Sequence, residues 1–282
     1  MQAYTGFAYV YDEYMDNIPY EEWCEYLVER LKEQGVTPDM EIADLGCGTG
    51  TVTQLLDKAG YSCVGIDNAP DMLTIAAEKL YESGQEIVYS LQDMRDFELP
   101  YEVDAMVSIA DSMNYITSKE DITSVFECVK KGLKPGGVFI FDLKTIHFFR
   151  DVLAENTYAE NRDDSAFIWD NYYDEETRNN EYDLAVFIKN EDESFIRYEE
   201  NHFQHGFYME EVLEAAETAG LEVEAVYDAF TTDAPKEDSE RLYYILRRRC
   251  AARSNPYDIC TVNIMSVPVK IKFEFFRNTF II

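Results

Sequence analysis

The sequence has few basic residues for its length and a large excess of acidic ones. Its 282 residues include 24 lysines and arginines against 56 aspartates and glutamates, a formal net charge of −32. Long-range repulsion opposes the counterion release that drives binding to a phosphate backbone, and the same repulsion acts at an anionic membrane surface. Nucleic acid and membranes are therefore disfavoured as partners, and a small-molecule substrate is expected.

Long apolar runs and organised cysteine or histidine motifs are also missing. No stretch of about 18 apolar residues occurs, so no transmembrane helix is predicted, and no signal-peptide pattern opens the chain. The six cysteines form no C-x-x-C pair, which favours reduced thiols and a cytoplasmic protein. With only three histidines and no cysteine close by, the pair His202-x-x-His205 is not expected to bind a metal.

The most informative stretch is a glycine-rich turn between a predicted strand and a predicted helix, EIADLGCGTGTVT at residues 41–53. Gly46, Gly48 and Gly50 allow a tight turn and a close approach of a ligand to the backbone. Their G-x-G-x-G spacing differs from the G-x-G-x-x-G of dinucleotide sites, since Thr51 stands where the last glycine would be. Asp44 precedes the turn and favours a cationic ligand over a pyrophosphate, because like charges repel.

This sequence pattern resembles the first motif of class I S-adenosylmethionine (SAM) methyltransferases. In that motif an acidic residue and one further residue of any type precede G-x-G-x-G. SAM carries a sulfonium and an ammonium and no phosphate, so its charges agree with an acid at the strand end. FAYVYD at residues 7–12 matches the same class, and so does LKPGG at residues 133–137, which is predicted as a tight turn before the fifth strand. The sequence also resembles glycine N-methyltransferase-like enzymes and a bacterial branch with an Asp-Ser-x-Asn-Tyr loop, here residues 111–115. The resemblance covers roughly residues 3–249 and implies a SAM-dependent methyltransferase.

The order of the apolar patterns and the resemblance predict an α/β fold. We expect a Rossmann-like, seven-stranded, mostly parallel sheet with helices on both faces and a small antiparallel β insert after the fifth strand. Three insert strands are predicted, at residues 166–173, 181–189 and 194–203. The predicted parts are an N-terminal helical lid (1–35), a SAM-binding core (36–143), the insert covering the substrate site (144–206), the end of the fold (207–249) and a tail of unknown role (250–282). Three alternatives stay open for the basic tail: it packs on the acidic body, joins a partner chain or is partly disordered. Electrostatic attraction favours the first two, and a homodimer is among the expected assemblies.

The cofactor site is predicted from two kinds of observation. Asp67 ends the next buried strand, 23 residues after Asp44, where a carboxylate accepts hydrogen bonds from ribose hydroxyls or caps the following helix. The resemblance places Asn68 and Met72 beside the adenine ring. It also implies that the Asp93 carboxylate accepts a hydrogen bond from the adenine amino group. The predicted cofactor-binding residues are Tyr11, Asp44, Gly46, Cys47, Gly48, Asp67, Asn68, Met72, Asp93, Met94 and Asp111.

The acceptor is expected to bind beyond the carboxyl ends of the strands, between the lid and the insert. The loop after the fourth strand carries several polar side chains together, and the insert is rich in aromatic residues. His202 is the candidate general base, and no other catalytic residue is assigned. The predicted substrate-binding residues are Asn114, Tyr115, Trp169, Tyr172, His202 and Tyr208, with Tyr173 as a further pocket candidate.

Three other functions stay open from the sequence. An enzyme that builds carboxy-SAM would need a cationic group in its pocket, for which the candidates are Arg150, Arg162, Arg178 and Arg197. A nonenzymatic SAM-binding protein is favoured if the insert closes the pocket. A nicotinamide dehydrogenase is the least favoured, because of the glycine spacing. The sequence does not identify the acceptor or the atom that is methylated.

Overall fold

The computed structural model describes residue 4 and residues 6–250, and its strands form two sheets. The described residues form six α-helices: α1 Ala8–Tyr14, α2 Tyr20–Glu33, α3 Thr51–Lys58, α4 Pro70–Ser83, α5 Lys119–Gly132 and α6 Met209–Ala219. The strands are β1 Glu41–Leu45, β2 Ser62–Asp67, β3 Val88–Leu91, β4 Val103–Ser108, β5 Leu133–Lys144, β6 Thr157–Asn161, β7 Ser165–Asp174, β8 Asn179–Lys189, β9 Phe195–His205, β10 Leu221–Asp228 and β11 Arg241–Arg248. A short 3-10 helix spans Ser112–Tyr115, and a π-helical turn spans Phe148–Leu153.

The main sheet has seven strands in the order β10-β11-β5-β4-β1-β2-β3. Strands β3, β2, β1, β4 and β5 are parallel, and β11 pairs antiparallel with both β5 and β10. From β1 the chain builds outward first through β2 and β3 and then, on the other side, through β4 and β5. This reversal opens a crevice at the carboxyl ends of β1 and β4, where open α/β sheets bind ligands.

Alternating side chains of the central strands enter two separate hydrophobic cores. Ala43 and Leu45 of β1 pack on one face with α5 and α6, whereas Ile42 packs on the other face with α2 and α3. All three are fully buried. The period of two residues in a strand thus places helices on both faces of the sheet, and the predicted fold class is confirmed.

The insert between β5 and α6 is a sheet of four antiparallel strands, β6-β7-β8-β9, rather than the three strands that the sequence predicts. Strand β6 was missed because its five residues, TYAEN, are polar or partly exposed and lack an apolar alternation. The inner face of the insert packs against helix α1. Phe7, which precedes this helix, and Tyr14 share a hydrophobic core with Phe167 and Trp169 of β7. The N-terminal helix therefore lies against the insert.

Two local features differ from, or fall outside, the sequence-based expectations. The LKPGG stretch was predicted as a turn before the fifth strand, but β5 already begins at Leu133 and passes through Gly136 at φ +84°. The predicted tail of residues 250–282 lies, except for Cys250, outside the described residues. Among the helices of the described part, none is long and apolar enough to cross a membrane.

Candidate active site

Two adjoining cavities open at the carboxyl edge of the main sheet. The first, here called the glycine-turn cleft, has a volume of about 280 Å³ and lies over the turn after β1 and the end of β2. The second, here called the aromatic chamber, has a volume of about 80 Å³ and lies between α1, the 3-10 helix and the insert. Five residues line both cavities and form their common wall: Tyr4, Tyr11, Tyr20, Ala110 and Tyr115.

The glycine-rich turn leaves room for a ligand at the cleft. Gly46 has φ +71°, and a Cβ there would lie 2.6 Å from the Cβ of Ser112, whose hydroxyl donates to the Gly46 carbonyl oxygen at 3.0 Å. Gly48 has φ +53°, and a Cβ there would meet no atom within 4 Å. The first glycine is needed for packing against the loop after β4. The second keeps open the side of the turn that faces the cleft.

Two carboxylates face this cleft. Asp44 is 2% exposed and accepts a hydrogen bond of 2.6 Å from the Thr53 hydroxyl. Burial raises the pKa of Asp44 to about 7, which the bond from Thr53 opposes and the charge of Asp67 reinforces. Asp67 accepts from the backbone N–H groups of Gly48 at 2.7 Å and Ala69 at 2.8 Å, and burial outweighs these bonds and raises its pKa. The cleft thus presents acidic groups that a cationic ligand would hold in their ionised form.

Helix α1 is attached to the glycine turn by a hydrogen bond and to α4 by an ion pair, and no motif predicted either contact. Asp12 accepts from the Thr49 hydroxyl at 2.6 Å and pairs with Lys79 of α4 at 2.8 Å. Lys79 also donates to the Thr51 hydroxyl at 2.8 Å. The N-terminal helix therefore covers the cleft and is held at the turn itself, as a lid would be.

The same N-terminal segment is also bound to the insert. Glu200 of β9, whose side chain is fully buried, accepts from the backbone N–H groups of Tyr4 at 2.7 Å and Phe7 at 2.9 Å. Farther along α1, the Tyr14 hydroxyl donates to the Ser165 hydroxyl at 2.8 Å. The N-terminal segment thus contacts both the core and the insert.

Four charged groups, two of each sign, form a cluster at the floor of the aromatic chamber, and Asp111 and Lys144 of this cluster line the chamber. Asp111 accepts from Lys144 at 3.2 Å, from Arg241 at 3.0 Å and from the Gln204 amide at 2.8 Å. Arg241 also pairs with Asp142 at 2.5 Å. Burial works against the charge of Asp111, but the two cations hold its pKa below its usual value. The group is close to neutral as a whole, so the floor offers hydrogen bonds rather than net charge.

A chain of polar groups crosses from the insert to the common wall. The Glu200 carboxylate lies 3.0 Å from His202 Nε2, and His202 Nδ1 lies 2.9 Å from the Tyr115 hydroxyl. That hydroxyl lies 2.7 Å from the Tyr4 hydroxyl. The chain ends where the two cavities meet.

Most residues predicted to bind the cofactor line the glycine-turn cleft. They are Tyr11, Asp44, Gly46, Cys47, Gly48, Asp67, Asn68, Met72 and Met94. Asp93 and Asp111 do not line it. The Asp93 carboxylate instead pairs with Arg95 at 2.5 Å, and the preceding residue Gln92 lines the cleft. Asp111 is turned into the chamber by a left-handed backbone conformation, φ +56°, and is held there by its two cations.

Of the predicted substrate residues, Tyr115, Trp169 and His202 line the aromatic chamber and the others do not. Asn114 is fully buried, where its side-chain amide donates to the Lys144 and His205 carbonyl oxygens. Tyr172 is 55% exposed, because it lies three positions from Trp169 and so on the opposite face of β7. Tyr208 precedes α6, is 54% exposed and stacks on Arg178, while Tyr173 faces inward but packs on Phe149.

Several residues of the two cavities were not found from the sequence. Tyr182 and Gln204 face the chamber, and their side chains bond to each other at 2.5 Å. The register of the insert explains the position of Tyr182, which lies directly opposite His202. The other residues missed include Tyr4, Tyr20, Trp23, Thr49, Ser112 and Lys144.

The arginines considered for a carboxy-SAM pocket do not reach the chamber. Each pairs with acids elsewhere: Arg150 with Asp151, Arg162 with Asp16 and Glu160, Arg178 with Glu211, and Arg197 with Glu199. Among the described residues, no three or more histidine, cysteine or acidic side chains form a group that could hold a metal ion. His205 bonds to Asn179 at 2.7 Å.

The comparisons with known proteins agree with this geometry. A family model described as a methyltransferase domain matches residues 42–137. The chain is 34% identical, over 86% of its length and 95% of the relative's, to the "Putative methyltransferase YqeM" of Bacillus subtilis. It shares its fold with a SAM-dependent methyltransferase from Clostridium acetobutylicum (TM-score 0.77, 24% identity, 88% of this chain and 100% of the other). It also shares it with SAM-bound CalS10, an amino pentose methyltransferase from Micromonospora echinaspora (TM-score 0.66, 17% identity, 88% and 98%). The chain therefore belongs to the methyltransferase family and has the fold of the class I, SAM-dependent enzymes.

Proposed function

We propose that the glycine-turn cleft binds SAM, that the aromatic chamber binds a small-molecule acceptor, and that the methyl group passes between them at the common wall. The observation that carries this proposal is the adjacency of the cavities. Tyr4, Tyr11, Tyr20, Ala110 and Tyr115 line both, so ligands in the two cavities would meet there.

The chemistry of the cleft supports one orientation of SAM. Asp67 would accept hydrogen bonds from the ribose hydroxyls, and Asn68, Met72 and Met94 would border the adenine ring. The amino acid end of SAM would lie toward Asp44 and the glycine turn, where an ammonium would offset the burial of the carboxylate. The sulfonium would then lie near the tyrosines of the common wall, whose rings attract a cation.

The acceptor chamber supports a small molecule or one end of a small molecule. Its volume of about 80 Å³ is far below the 300–1,000 Å³ typical of drug-sized sites. The excess of acidic residues in the chain also favours a small acceptor over nucleic acid. CalS10, which shares this fold, is likewise named for a small-molecule acceptor, an amino pentose. A cytoplasmic location and a homodimer remain predictions.

Catalysis would depend mainly on alignment. Transfer from a sulfonium is an in-line displacement that disperses positive charge, so the enzyme must hold the acceptor opposite the sulfur and exclude water. Orientation alone can supply roughly 7–11 kcal/mol of the barrier. The lid, bound to the glycine turn through Asp12 and to the insert through Glu200, would provide the enclosure.

The Asp67→Ala variant tests the cofactor site by calorimetry with SAM and with S-adenosylhomocysteine. Loss of hydrogen bonds to a charged group, about 1.5–3 kcal/mol, should weaken binding about 10- to 100-fold. Asp93→Ala is the matched control, since this acid lies outside the cleft, and its affinity should equal that of the wild type. Equal weakening in both variants, or binding of NAD in place of SAM, would contradict the assignment.

Incubation of the enzyme with methyl-labelled SAM and a small-molecule extract tests the activity. Labelled products of low molecular mass are expected, and mass spectrometry of those products would identify the acceptor. Label found only in protein or nucleic acid added to the same reaction would contradict a small-molecule acceptor. Denatured enzyme and the Asp67→Ala variant serve as controls.

A further inference from the structure

The polar chain from Glu200 to the common wall has a direction that its hydrogen-bond partners determine. Glu200 is fully buried and accepts from two backbone N–H groups of the lid and from His202. Burial opposes its ionisation, but these hydrogen bonds hold its pKa below its usual value, so it is a carboxylate that can only accept. His202 Nε2, 3.0 Å away, must therefore carry the hydrogen.

The hydrogen on Nε2 also determines the role of the other ring nitrogen, Nδ1. In the neutral imidazole with its hydrogen on Nε2, Nδ1 is an acceptor, and the Tyr115 hydroxyl 2.9 Å away donates to it. The Tyr4 hydroxyl, at 2.7 Å, then donates to the Tyr115 oxygen. Burial raises the pKa of Tyr115 well above 10, so it stays a neutral phenol that can pass a proton on. The Tyr115 oxygen keeps a second lone pair at the boundary of the two cavities.

We propose that Tyr115, His202 and Glu200 form a proton relay that removes a proton from the methyl acceptor. The inference rests on the proposed function and goes beyond it by naming the catalytic groups. Tyr115 and His202 both line the aromatic chamber, and Tyr115 also lines the cleft where the methyl donor would bind. Tyr115 is the catalytic residue that touches the acceptor. His202 receives the proton, and Glu200 is the positioning residue that fixes its tautomer and stabilises its charge.

Methyl transfer and proton transfer together conserve atoms and charge. The acceptor oxygen or nitrogen forms a bond to the methyl carbon, while the carbon–sulfur bond of SAM breaks and its electron pair stays on sulfur. The proton of the acceptor passes to the Tyr115 oxygen as the hydroxyl proton of Tyr115 passes to His202 Nδ1. The products are S-adenosylhomocysteine, the methylated acceptor and an imidazolium paired with Glu200, which later loses its proton to water.

The relay also limits the class of acceptor. A base at the common wall serves a nucleophile that loses a proton on methylation, such as a hydroxyl or a primary or secondary amine. A tertiary amine or a thioether has no such proton and would gain nothing from it. The geometry therefore favours an O–H or N–H acceptor.

Nuclear magnetic resonance tests the relay without knowledge of the acceptor. The chain has only three histidines, so ¹⁵N-histidine labelling gives few signals, and a His202→Gln variant assigns them. In the wild type His202 should show a protonated Nε2 and an unprotonated Nδ1, and Glu200→Gln should lose that preference. A hydrogen on Nδ1 of His202 in the wild-type protein would overturn the relay.

Methyl transfer from labelled SAM to a small-molecule extract gives the functional test. His202→Gln and Tyr115→Phe should each lower kcat about 100-fold or more, the usual contribution of acid–base catalysis. SAM affinity measured by calorimetry should change less than threefold, and the solvent isotope effect of the wild type should disappear. His147→Gln is the matched control, since His147 pairs with Asp151 at the surface.

The possible failures are distinguishable. Wild-type enzyme that binds no SAM and transfers no label contradicts the proposed function, and the imidazole signals still decide the relay. Full activity of His202→Gln and Tyr115→Phe overturns the relay and leaves the methyltransferase function intact. Glu200→Gln also loses charge at the lid, so Tyr115→Phe, which removes only one hydroxyl, separates loss of the proton path from loss of the fold.

Discussion

The buried carboxylate of Asp44 leads to a prediction in which stability and cofactor binding change in opposite directions. Its pKa in the folded protein is about 7, against an ordinary value of 3.8. The folded state therefore holds this proton more tightly than the unfolded chain. The stability that the protonated form contributes is complete below about pH 4 and is lost as the pH rises through 7.

The Asp44→Asn variant removes this ionisation and keeps an oxygen that can accept from Thr53. The gap between the two pKa values corresponds to at most about 4 kcal/mol at pH 8. Relaxation around the site reduces that limit, and a gain of about 2 kcal/mol is expected. For a chain of this size such a gain raises Tm by roughly 4–8 °C. At pH 4, where Asp44 carries its proton, variant and wild type should unfold at similar temperatures.

Scanning calorimetry of both proteins at pH 4 and pH 8, with and without SAM, is the assay. SAM should stabilise the wild type far more than the variant, and the SAM affinity of the wild type should rise up to tenfold per pH unit between pH 5 and 6.5. Asp93→Asn is the control, because Arg95 lowers the pKa of that acid, and it should give no gain at pH 8. A ligand-free Asp44→Asn protein that is less stable than the wild type at pH 8 would refute the reasoning.

Two further predictions concern the glycine turn and the lid. Gly46→Ala combines strain at φ +71° with a clash on Ser112, whereas Gly84→Ala has a similar φ of +70° and free space. Denaturant unfolding should therefore show a loss of about 1 kcal/mol for Gly84→Ala and a clearly larger one for Gly46→Ala, with SAM binding lost only in the latter. Asp12→Asn removes a half-exposed ion pair worth up to about 1 kcal/mol, so SAM should dissociate up to about fivefold faster in stopped-flow measurements. Lys79→Met should give the same increase, and an unchanged rate in both variants would show that this pair does not hold the lid.

The predicted site residues that the structure brings together are local in the sequence. Asp44, Gly46 and Gly48 lie within one strand and its turn, and Asp67 ends the next strand, so spacing alone brings them to one cleft. The family match and the fold class, which depend on the same order of elements, are confirmed. The finer likeness to glycine N-methyltransferase stays a prediction.

The residues that the structure places away from their predicted cavity are those whose position depends on pairing between distant strands or on burial in a loop. Tyr172 and Tyr173 are neighbours in β7 and cannot both face inward, and the residue composition does not say which of them does. Tyr182 was overlooked although it lies opposite His202, because that register exists only in the folded insert. Asn114 and Asp111 occupy a polar loop that suggested ligand contacts. Burial gives Asn114 a bridging role between backbone carbonyl oxygens and binds Asp111 to two cations.

The double attachment of the first helix has a kinetic consequence. Asp12 binds it beside the cofactor cleft, and the backbone of Tyr4 and Phe7 binds it to Glu200 beside the chamber. Any motion that admits one ligand breaks both sets of bonds and exposes the other cavity to solvent at the same time. Both products would then leave during one opening of this segment. Steady-state turnover would follow the frequency of opening rather than the rate of methyl transfer.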